Sequence, residues 1–348
     1  MPSAPAPRRK QVTLKDVAEA AEVSKATASL VLSNNPRISE STRQRVLSAV
    51  EALGYVYNQH AASLRTQRSY TIGLIITDVL NPFTAELTSG AESALAAHDY
   101  SLVLATTDDD LEKQSRIIRT MMERDVDGLI LGPVAGTATA SLRDIMKRCS
   151  LVLTNPYYDE VEADCVGMDD ENGTARAVQH LVQQGHRRIA FVGGYPTSST
   201  RQRRLHSYRD SLLGKGITFD PALCIDSPVT RRGGYDGVHQ LLSLAAPPTA
   251  AYCYSDVIAF GVMLGLRAAG REAGVDFAVI GFDNVPEASL WHPSLTTVSA
   301  DPRGLGENAA QLMMRRIAAP NRPVSRIIQP SRLIVRDSSA KPVSLPGG

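Results

Sequence analysis

Residues 13–34 read TLKDVAEAAEVSKATASLVLSN, and this stretch decides the fold of the N-terminal part of the chain. Thr13 is placed to cap a first helix, with Asp16 three residues on as its capping-box partner. A three-residue turn, Glu22–Ser24, leads to a second helix, Lys25–Leu32. The pattern has the spacing of a helix-turn-helix. A plain three-helix bundle has the same spacing, so the pattern alone leaves both interpretations open.

A third helix, Glu40–Leu53, follows the break at Asn34-Asn35-Pro36. Ser39 precedes it as a cap and Gly54 ends it. The residues that we expect to face inward from this helix are Val46, Val50 and Leu53. Together the three helices predict a small all-α head.

The second helix of a helix-turn-helix presents its N-terminal part to base edges in the major groove. Lys25 is the candidate contact to a guanine, whereas Ala26 and Leu30 offer apolar contact, for example to a thymine methyl. Short hydroxyl and amide side chains suit phosphates. The predicted DNA-binding residues of the head are Thr13, Ser24, Lys25, Ala26, Thr27, Ser29, Leu30 and Asn34.

The charge distribution points the same way. Residues 1–68 hold ten Lys and Arg against five Asp and Glu, whereas the rest of the chain holds 27 against 31. A basic head on a slightly acidic body is an electrostatic footprint for nucleic acid. Ordinary fluctuation of a solvated surface is the competing interpretation.

Length and composition limit the class of protein. The 348 residues suit two or three domains. No apolar run is long enough for a membrane span, and the Pro- and Arg-rich start is unlike a secretory signal. The four cysteines lack CxxC spacing, which predicts reduced thiols in the cytoplasm and no structural zinc. We expect no metal and no cofactor.

After Tyr70 short apolar strands alternate with helical stretches, which predicts parallel sheets covered on both faces. There are too many units for one sheet, so we expect two α/β lobes. No leucine heptad follows, and so no tetramerising coil is predicted. The predicted strands are Thr71–Thr77, Ser101–Thr106, Gly128–Leu131, Leu151–Thr154, Arg188–Val192, Thr249–Tyr254 and Phe277–Gly281.

Residues 13–58 carry TLKDVAEAAEVSKATASLVLSN and ISESTRQRVLSAVEALGYVYN, and HAASLR, SYTIGLI, NPFTAEL, TTDDDLEKQ, DGLILGP, HLVQQGHRRIAFVGG, YCYSDVIAFG, VIGFDN and PSLTTV follow in order. Through these strings nearly the whole chain resembles the LacI/GalR (lactose/purine repressor) family of transcriptional regulators. The resemblance implies a helix-turn-helix head, a hinge, and a two-lobe core like the periplasmic sugar-binding proteins. It also implies a homodimer on a pseudo-palindromic operator, controlled by a small molecule between the lobes.

These expectations divide the chain into five parts. They are a disordered basic arm (1–12), the head (13–57), a hinge (58–68), the core (69–338) and a flexible tail (339–348). Within the core, one lobe is expected to take residues 69–167 and 295–322, and the other residues 168–294 and 323–338.

Asn58–Leu64 matches the hinge helix of the family, and Leu64 falls where the family inserts a leucine into a minor-groove step. Such a wedge kinks DNA. A linker whose Leu64 packs on the core is the alternative. The hinge residues predicted to contact DNA are Asn58, Ala61, Leu64 and Arg65.

Ligands of open α/β sheets bind beyond the carboxyl ends of the strands. By resemblance, Asp283 matches the family's effector-binding aspartate and Arg204 its effector-binding arginine. Each polar candidate has a simpler alternative as a helix cap or turn residue, and Trp291 as a core residue. The predicted effector-binding residues are Asn81, Phe83, Asn155, Ser198, Thr200, Arg204, Asp256, Asp283 and Trp291.

Two other classes compete. An enzyme is disfavoured because the sequence lacks GxSxG, GxxxxGK[ST], HExxH and GxGxxG motifs. A periplasmic sugar-binding protein would explain the core but needs a signal peptide and no head.

For the effector, a sugar-like molecule fits best, a purine is an open alternative, and the ligand itself cannot be named.

Overall fold

The computed structural model describes residues 12–32, 35–55, 68–154, 161–299 and 301–339. The chain forms two compact units, residues 1–69 and residues 70–348. Most of the basic arm, hinge and tail lie outside the described ranges, and so do the predicted site residues Asn34, Asn58, Ala61, Leu64, Arg65 and Asn155.

Three helices form the first unit: α1 (Leu14–Ala20), α2 (Lys25–Leu32) and α3 (Glu40–Leu53). The capping box at α1 is present, because the Asp16 carboxylate accepts from the Thr13 backbone N–H at 2.7 Å and the Thr13 hydroxyl accepts from the Asp16 N–H. The predicted helix limits and caps of the head are therefore confirmed.

The core of the head consists of small and β-branched side chains from all three helices. Its buried members are Val17, Ala18, Ala21, Ala28, Val31, Val46 and Ala49. The prediction that Leu53 faces inward is wrong, since it is 37% exposed. Ala49 is buried instead, and Val50 is partly buried beside it. Leu53 is the last residue of α3, where the adjoining helices no longer cover it.

The first lobe of the second unit is a six-stranded sheet in the order β11-β5-β4-β3-β1-β2, with every pairing parallel. Its four inner strands are buried runs covered by helices on the two faces, whereas the edge strands β2 and β11 are partly exposed. The elements are β1 (Thr71–Ile76), α4 (Pro82–Ala96), β2 (Ser101–Thr106), α5 (Leu111–Glu123), β3 (Gly128–Leu131), α6 (Thr139–Met146), β4 (Ser150–Thr154), β5 (Asp164–Met168), α12 (Pro302–Ala318) and β11 (Arg326–Gln329).

The second lobe is another six-stranded sheet, in the order β12-β10-β9-β8-β6-β7, in which only the edge strand β12 is antiparallel. Its elements are α7 (Asp170–Gln183), β6 (Ile189–Val192), α8 (Ser199–Leu213), β7 (Cys224–Ile225), α9 (Arg231–Leu242), β8 (Ala250–Cys253), α10 (Asp256–Ala268), β9 (Ala278–Asp283), α11 (Glu287–Leu290), β10 (Thr296–Ser299) and β12 (Arg332–Ile334). Short 3₁₀ turns cover Pro221–Leu223 and Asp337–Ser339.

The chain passes between the two sheets three times: after β5, after β10 and after β11. The lobe limits expected from the sequence therefore need correction. β10 pairs with β9 and lies in the second lobe, whereas β11 pairs with β5 and lies in the first.

Two helix pairs pack closely through glycines. A Cβ on Gly261 of α10 would overlap the carbonyl oxygen of Arg231 at the start of α9, and a Cβ on Gly234 of α9 would overlap the carbonyl oxygen of Ile258. In the first lobe, Gly90 of α4 meets the backbone of α12 in the same way. Backbone touches backbone at these crossings, so each helix pair is fixed in position.

One charged cluster fastens α12 to the first sheet. The buried carboxylate of Asp164, at the start of β5, accepts from Arg316 Nε at 2.9 Å and from Arg322 Nη2 at 2.6 Å. It also accepts from the backbone N–H of Ser325 at 2.7 Å. The loop between α12 and β11 is thereby held against β5.

Three features bear on the class of protein. No disulfide joins the four cysteines, all of which fall in the described ranges. Among the helices described, none has both the length and the apolar composition that a membrane span requires. The described residues also contain no group of three or more His, Cys, Asp and Glu side chains placed to hold a metal ion.

Candidate functional site

The exposed face of α2 is the candidate nucleic-acid surface of the head. Lys25 and Ala26 are exposed at its N-terminal end, and Thr27, Ser29 and Leu30 are half-buried. The Ser24 hydroxyl accepts from the Thr27 backbone N–H at 3.0 Å and so caps the helix. Ala28 and Val31 point into the core, which fixes the opposite face outward.

The turn before α2 is tight. Glu22 adopts a left-handed conformation with φ of 53°, and the Val23 N–H donates to the Ala18 carbonyl at 3.0 Å. A residue other than glycine with positive φ costs conformational energy, which the packing of α2 on α1 offsets. The turn leaves the N-terminus of α2 exposed at the surface of the head, as insertion into a DNA groove requires.

Between the lobes of the core lies a cavity of about 170 Å³. Strand ends and loops of both sheets enclose it. Among the described residues, its wall carries hydroxyls, two carboxylates and three aromatic rings. The lining residues are Ile76, Thr77, Asp78, Asn81, Phe83, Thr84, Leu87, Asp109, Gly132, Pro133, Ala135, Thr154, Tyr195, Ser198, Ser199, Thr200, Val229, Tyr254 and Leu305.

Four predicted effector residues line this cavity: Asn81, Phe83, Ser198 and Thr200. Two of them also cap helices. Asn81 Oδ1 accepts from the Phe83 N–H at 3.0 Å, and Ser198 Oγ accepts from the Arg201 N–H at 3.3 Å. The cap interpretation and the lining interpretation are thus compatible, because α4 and α8 both begin at the cavity wall.

Arg204 lies one layer behind the wall. Its guanidinium is 2% exposed, donates from Nε to Asp170 Oδ1 at 2.8 Å and from Nη1 to the Tyr254 carbonyl at 2.5 Å. It also stacks over the Phe282 ring, 3.4 Å from the centroid. Because its charge is compensated by a buried carboxylate, Arg204 in this arrangement supports the wall of the cavity.

Asp283 ends β9, whose carboxyl end adjoins those of β8 and β6 at the cavity edge. It is 4% exposed, its φ is 122°, and its Oδ2 accepts no hydrogen bond from any residue within the described ranges. Burial raises the pKa of this carboxyl well above its usual range, although the charge of Arg204 opposes the shift. A strained, buried and unsatisfied carboxylate beside a cavity is typical of a binding site.

Asp256 and Trp291 are not among the lining residues. Asp256 is the first residue of α10, which Ser255 rather than Asp256 caps. Its carboxylate accepts from Thr297 Oγ1 at 2.5 Å and from the Val285 N–H at 2.9 Å. Trp291 stacks on the buried ring of Phe260, with 4.4 Å between centroids. Both side chains thus have structural contacts that account for their positions.

Comparison with known proteins agrees with this geometry. Residues 13–58 match the family model "Bacterial regulatory proteins, lacI family", and residues 178–339 match a periplasmic binding protein-like domain. The ribose operon repressor of Haemophilus influenzae is 30% identical over 94% of this chain and 98% of its own length. The chain belongs to the LacI family. It is accordingly a DNA-binding transcriptional regulator with a helix-turn-helix head and a two-lobe α/β core.

Other members of the LacI family match this chain over most of its length and have a similar fold. The repressor PurR of Photobacterium profundum is 30% identical over 94% of this chain and 98% of its own length. The structure of a lac repressor dimer bound to operator matches with a TM-score of 0.85, at 25% identity over 94% of this chain and 99% of that one. A LacI-family regulator from Enterococcus faecium with bound ribose matches with a TM-score of 0.72, at 27% identity over 79% and 100% of the two chains.

The sequence analysis missed several lining residues of this LacI-family core. Thr77 and Asp78 follow β1, Asp109 follows β2, and Tyr254 follows β8. The rule that ligands lie beyond the carboxyl ends of parallel strands would have found them, because each comes within three residues of such an end. Asp170, the partner of Arg204, also follows a strand end, but its strand β5 was not among the predicted strands.

The burial of Asp256 gives a testable pH dependence. Burial raises the pKa of its carboxyl from 3.8 to about 7, against the opposing hydrogen bond from Thr297. The folded protein therefore holds a proton that the unfolded chain releases above pH 4, and stability falls as pH rises from about 4 to about 7. We expect Asp256→Asn to gain stability relative to the parent protein across this window by at least ~1 kcal/mol, since one pKa unit corresponds to about 1.4 kcal/mol.

Urea unfolding of both proteins between pH 4.5 and 7.5 measures this difference. The two hydrogen bonds persist in the variant, because an amide can accept from the Val285 N–H and donate to Thr297 Oγ1. Titrating groups other than Asp283, whose carboxyl interacts electrostatically with that of Asp256, are common to both proteins and cancel in the comparison. A pH-independent difference would show that Asp256 ionises normally in the folded protein.

Proposed function

We propose that this chain is a repressor that binds a pseudo-palindromic operator as a homodimer, and that a small molecule in the interlobe cavity controls the binding. The observation that carries the proposal is the presence, in one chain, of a capped helix-turn-helix with an exposed α2 N-terminus and a core with a polar cavity between two lobes. The related lac repressor structure is that of a dimer bound to operator, which supports the proposal.

The proposed DNA contacts are those predicted from the sequence. Lys25 and Ala26 stand where base edges would lie, with Ser29 and Leu30 further along α2. Few polar side chains are available there for base recognition. We therefore propose that Leu64, by kinking the operator centre, contributes to specificity through the deformability of the DNA.

Lys25→Ala tests direct readout. We expect the variant to lose discrimination at one base pair by about 5- to 150-fold, which corresponds to the ~1–3 kcal/mol of a good base contact. The operator is first selected from a random DNA library with the full-length protein, and single-base variants are then compared in competition assays. Lys15→Ala is the control, because Lys15 is exposed on α1 and pairs with Glu19 at 3.5 Å. Equal loss on all sequences would instead make Lys25 a phosphate contact.

For the effector we propose a sugar or sugar derivative. Hydroxyls of Thr84, Thr154 and Ser199 and the carboxylates of Asp78 and Asp109 are suitable partners for a polyol, and aromatic rings can cover its apolar faces. The relatives named for the ribose operon, and the relative with bound ribose, support this class. We further propose that Asn155, Arg204 and Asp283 take part once the ligand is bound.

Operator titration with and without a panel of sugars tests the control mechanism. A sugar that binds the core and shifts operator affinity supports it, in either direction, since inducer and corepressor are both open. Ligand binding without any shift would contradict the coupling. We also propose that the chain is not an enzyme, so turnover of a bound sugar would contradict the proposal. The proposed place of action is the cytoplasm, on nucleoid DNA.

A further inference from the structure

The charges that face the interlobe cavity are all of one sign. Of the described residues that line it, the only ones of a charged type are Asp78 and Asp109. They follow the neighbouring parallel strands β1 and β2, so both stand at one end of the cavity wall. No lysine or arginine is among the described lining residues.

The two carboxylates are held in place by the local backbone. Asp78 Oδ1 accepts from the N–H groups of Leu80 and Asn81, at 2.6 and 3.0 Å. Asp109 has a φ of 57°, a left-handed conformation. Burial and the charges of Asp78 and Asp108 raise the pKa of Asp109.

Neither nearby cation is available to balance these charges. Lys113 Nζ lies 2.5 Å from the carboxylate of Asp108, which does not line the cavity. Arg204, behind the opposite wall, is bonded to Asp170. The cations nearest the cavity are thus paired with carboxylates that do not line it, and the described wall offers Asp78 and Asp109 no counter-charge.

We propose that the cavity selects its ligand by charge: it prefers an amine-bearing sugar to the neutral parent sugar and rejects the phosphorylated one. This inference rests on the proposed function. An ammonium group beside Asp78 and Asp109 relieves their mutual repulsion, whereas a phosphate adds negative charge to a partly desolvated negative site. The recognised chemistry is that of an amino sugar, with hydroxyls for the Thr and Ser side chains and a cation for the two aspartates.

Matched sugars test the order of affinities. Isothermal titration of the full-length protein compares D-glucose, D-glucosamine and glucose 6-phosphate, and the same three forms of galactose and mannose. For the sugar that binds, we expect the amine to bind at least about 10-fold tighter than the neutral parent and the phosphate at least about 100-fold weaker. A phosphate that binds as tightly as its parent, or an amine that binds more weakly, would overturn the inference.

The variant Asp109→Asn tests whether the lining carboxylates cause this order of affinities. We expect the differences in affinity between the amine, the neutral sugar and the phosphate to become smaller in this variant, because one of the two lining charges is gone. Asp125→Asn is the matched control, because Asp125 has the same left-handed conformation, with a φ of 53°, but is exposed and does not line the cavity. Its order of affinities should equal that of the parent protein. If the differences in affinity in Asp109→Asn equal those in the parent protein, the inference is overturned.

The failure of the charge inference differs from failure of the proposed function. If sugars bind and shift operator affinity but without regard to charge, only the charge inference fails. The panel is completed with D-ribose and its amine and phosphate forms, because the relatives in support of the sugar class are a ribose operon repressor and a regulator with bound ribose. If no sugar of this panel binds while the protein still binds its selected operator, the sugar class of the proposed function fails, and the charge inference with it.

Discussion

Replacing Arg204 by methionine is expected to destabilise the core by about 3–5 kcal/mol, because it leaves the carboxylate of Asp170 buried without its main cation. Arg204 is 2% exposed and Asp170 has no exposed side-chain surface, so water cannot replace the lost pairing. Methionine keeps an unbranched side chain at this position but loses the guanidinium stacking on Phe282. Urea unfolding at pH 7, followed by circular dichroism, measures the change.

Two further variants separate charge from packing. Arg203→Met removes a neighbouring arginine whose Nη2 lies 3.6 Å from Asp170 Oδ2, and we expect less than half the loss. Adding Asp170→Asn to Arg204→Met removes the orphaned charge and should recover part of the stability. A variant with Arg204→Met that unfolds like the parent protein would show that the buried pair contributes nothing.

Gly261→Ala is the second substitution with a large expected effect. In an isolated helix, alanine would be favoured over glycine by about 1 kcal/mol. Here the added Cβ would overlap the carbonyl oxygen of Arg231, a backbone atom that cannot rotate away. Helices α9 and α10 must then separate, and we expect a net loss of about 3 kcal/mol or more.

Gly214→Ala is the matched control for that substitution. Gly214 also has a right-handed helical conformation, at the end of α8, but a Cβ there would come no closer than 3.3 Å to any atom. Its expected change is within about 1 kcal/mol. Urea unfolding compares the two variants, and equal stabilities would contradict the tight crossing of α9 and α10.

The sequence predicted the regular parts of the fold well, because local patterns determine them. The caps at Thr13, Ser39 and Gly54 and the apolar runs of seven strands all lie within a few residues of their predicted places. β5 was missed because Asp164 and Gly167 interrupt its apolar pattern. Asp164 is buried there by arginines more than 150 residues away, and no local pattern reveals them.

The lobe limits were wrong for a similar reason. Which sheet β10 and β11 join depends on partner strands distant in sequence. In the cavity, the strand-end rule placed Asn81 and Phe83 at the wall. That Arg204 is held by Asp170, 34 residues away, needed coordinates. The sequence thus predicts which strand ends meet, whereas the pairing of charges behind them depends on tertiary packing.

The threefold passage of the chain between the sheets bears on its synthesis. The head is one continuous segment and is complete on the ribosome long before the rest. The first lobe must wait for α12 and β11, which are translated after nearly all of the second lobe. Until residue 329 emerges, the apolar surface of β4 and β5 that α12 covers stays open to solvent. Exposed apolar surface of this kind makes a nascent chain prone to aggregation.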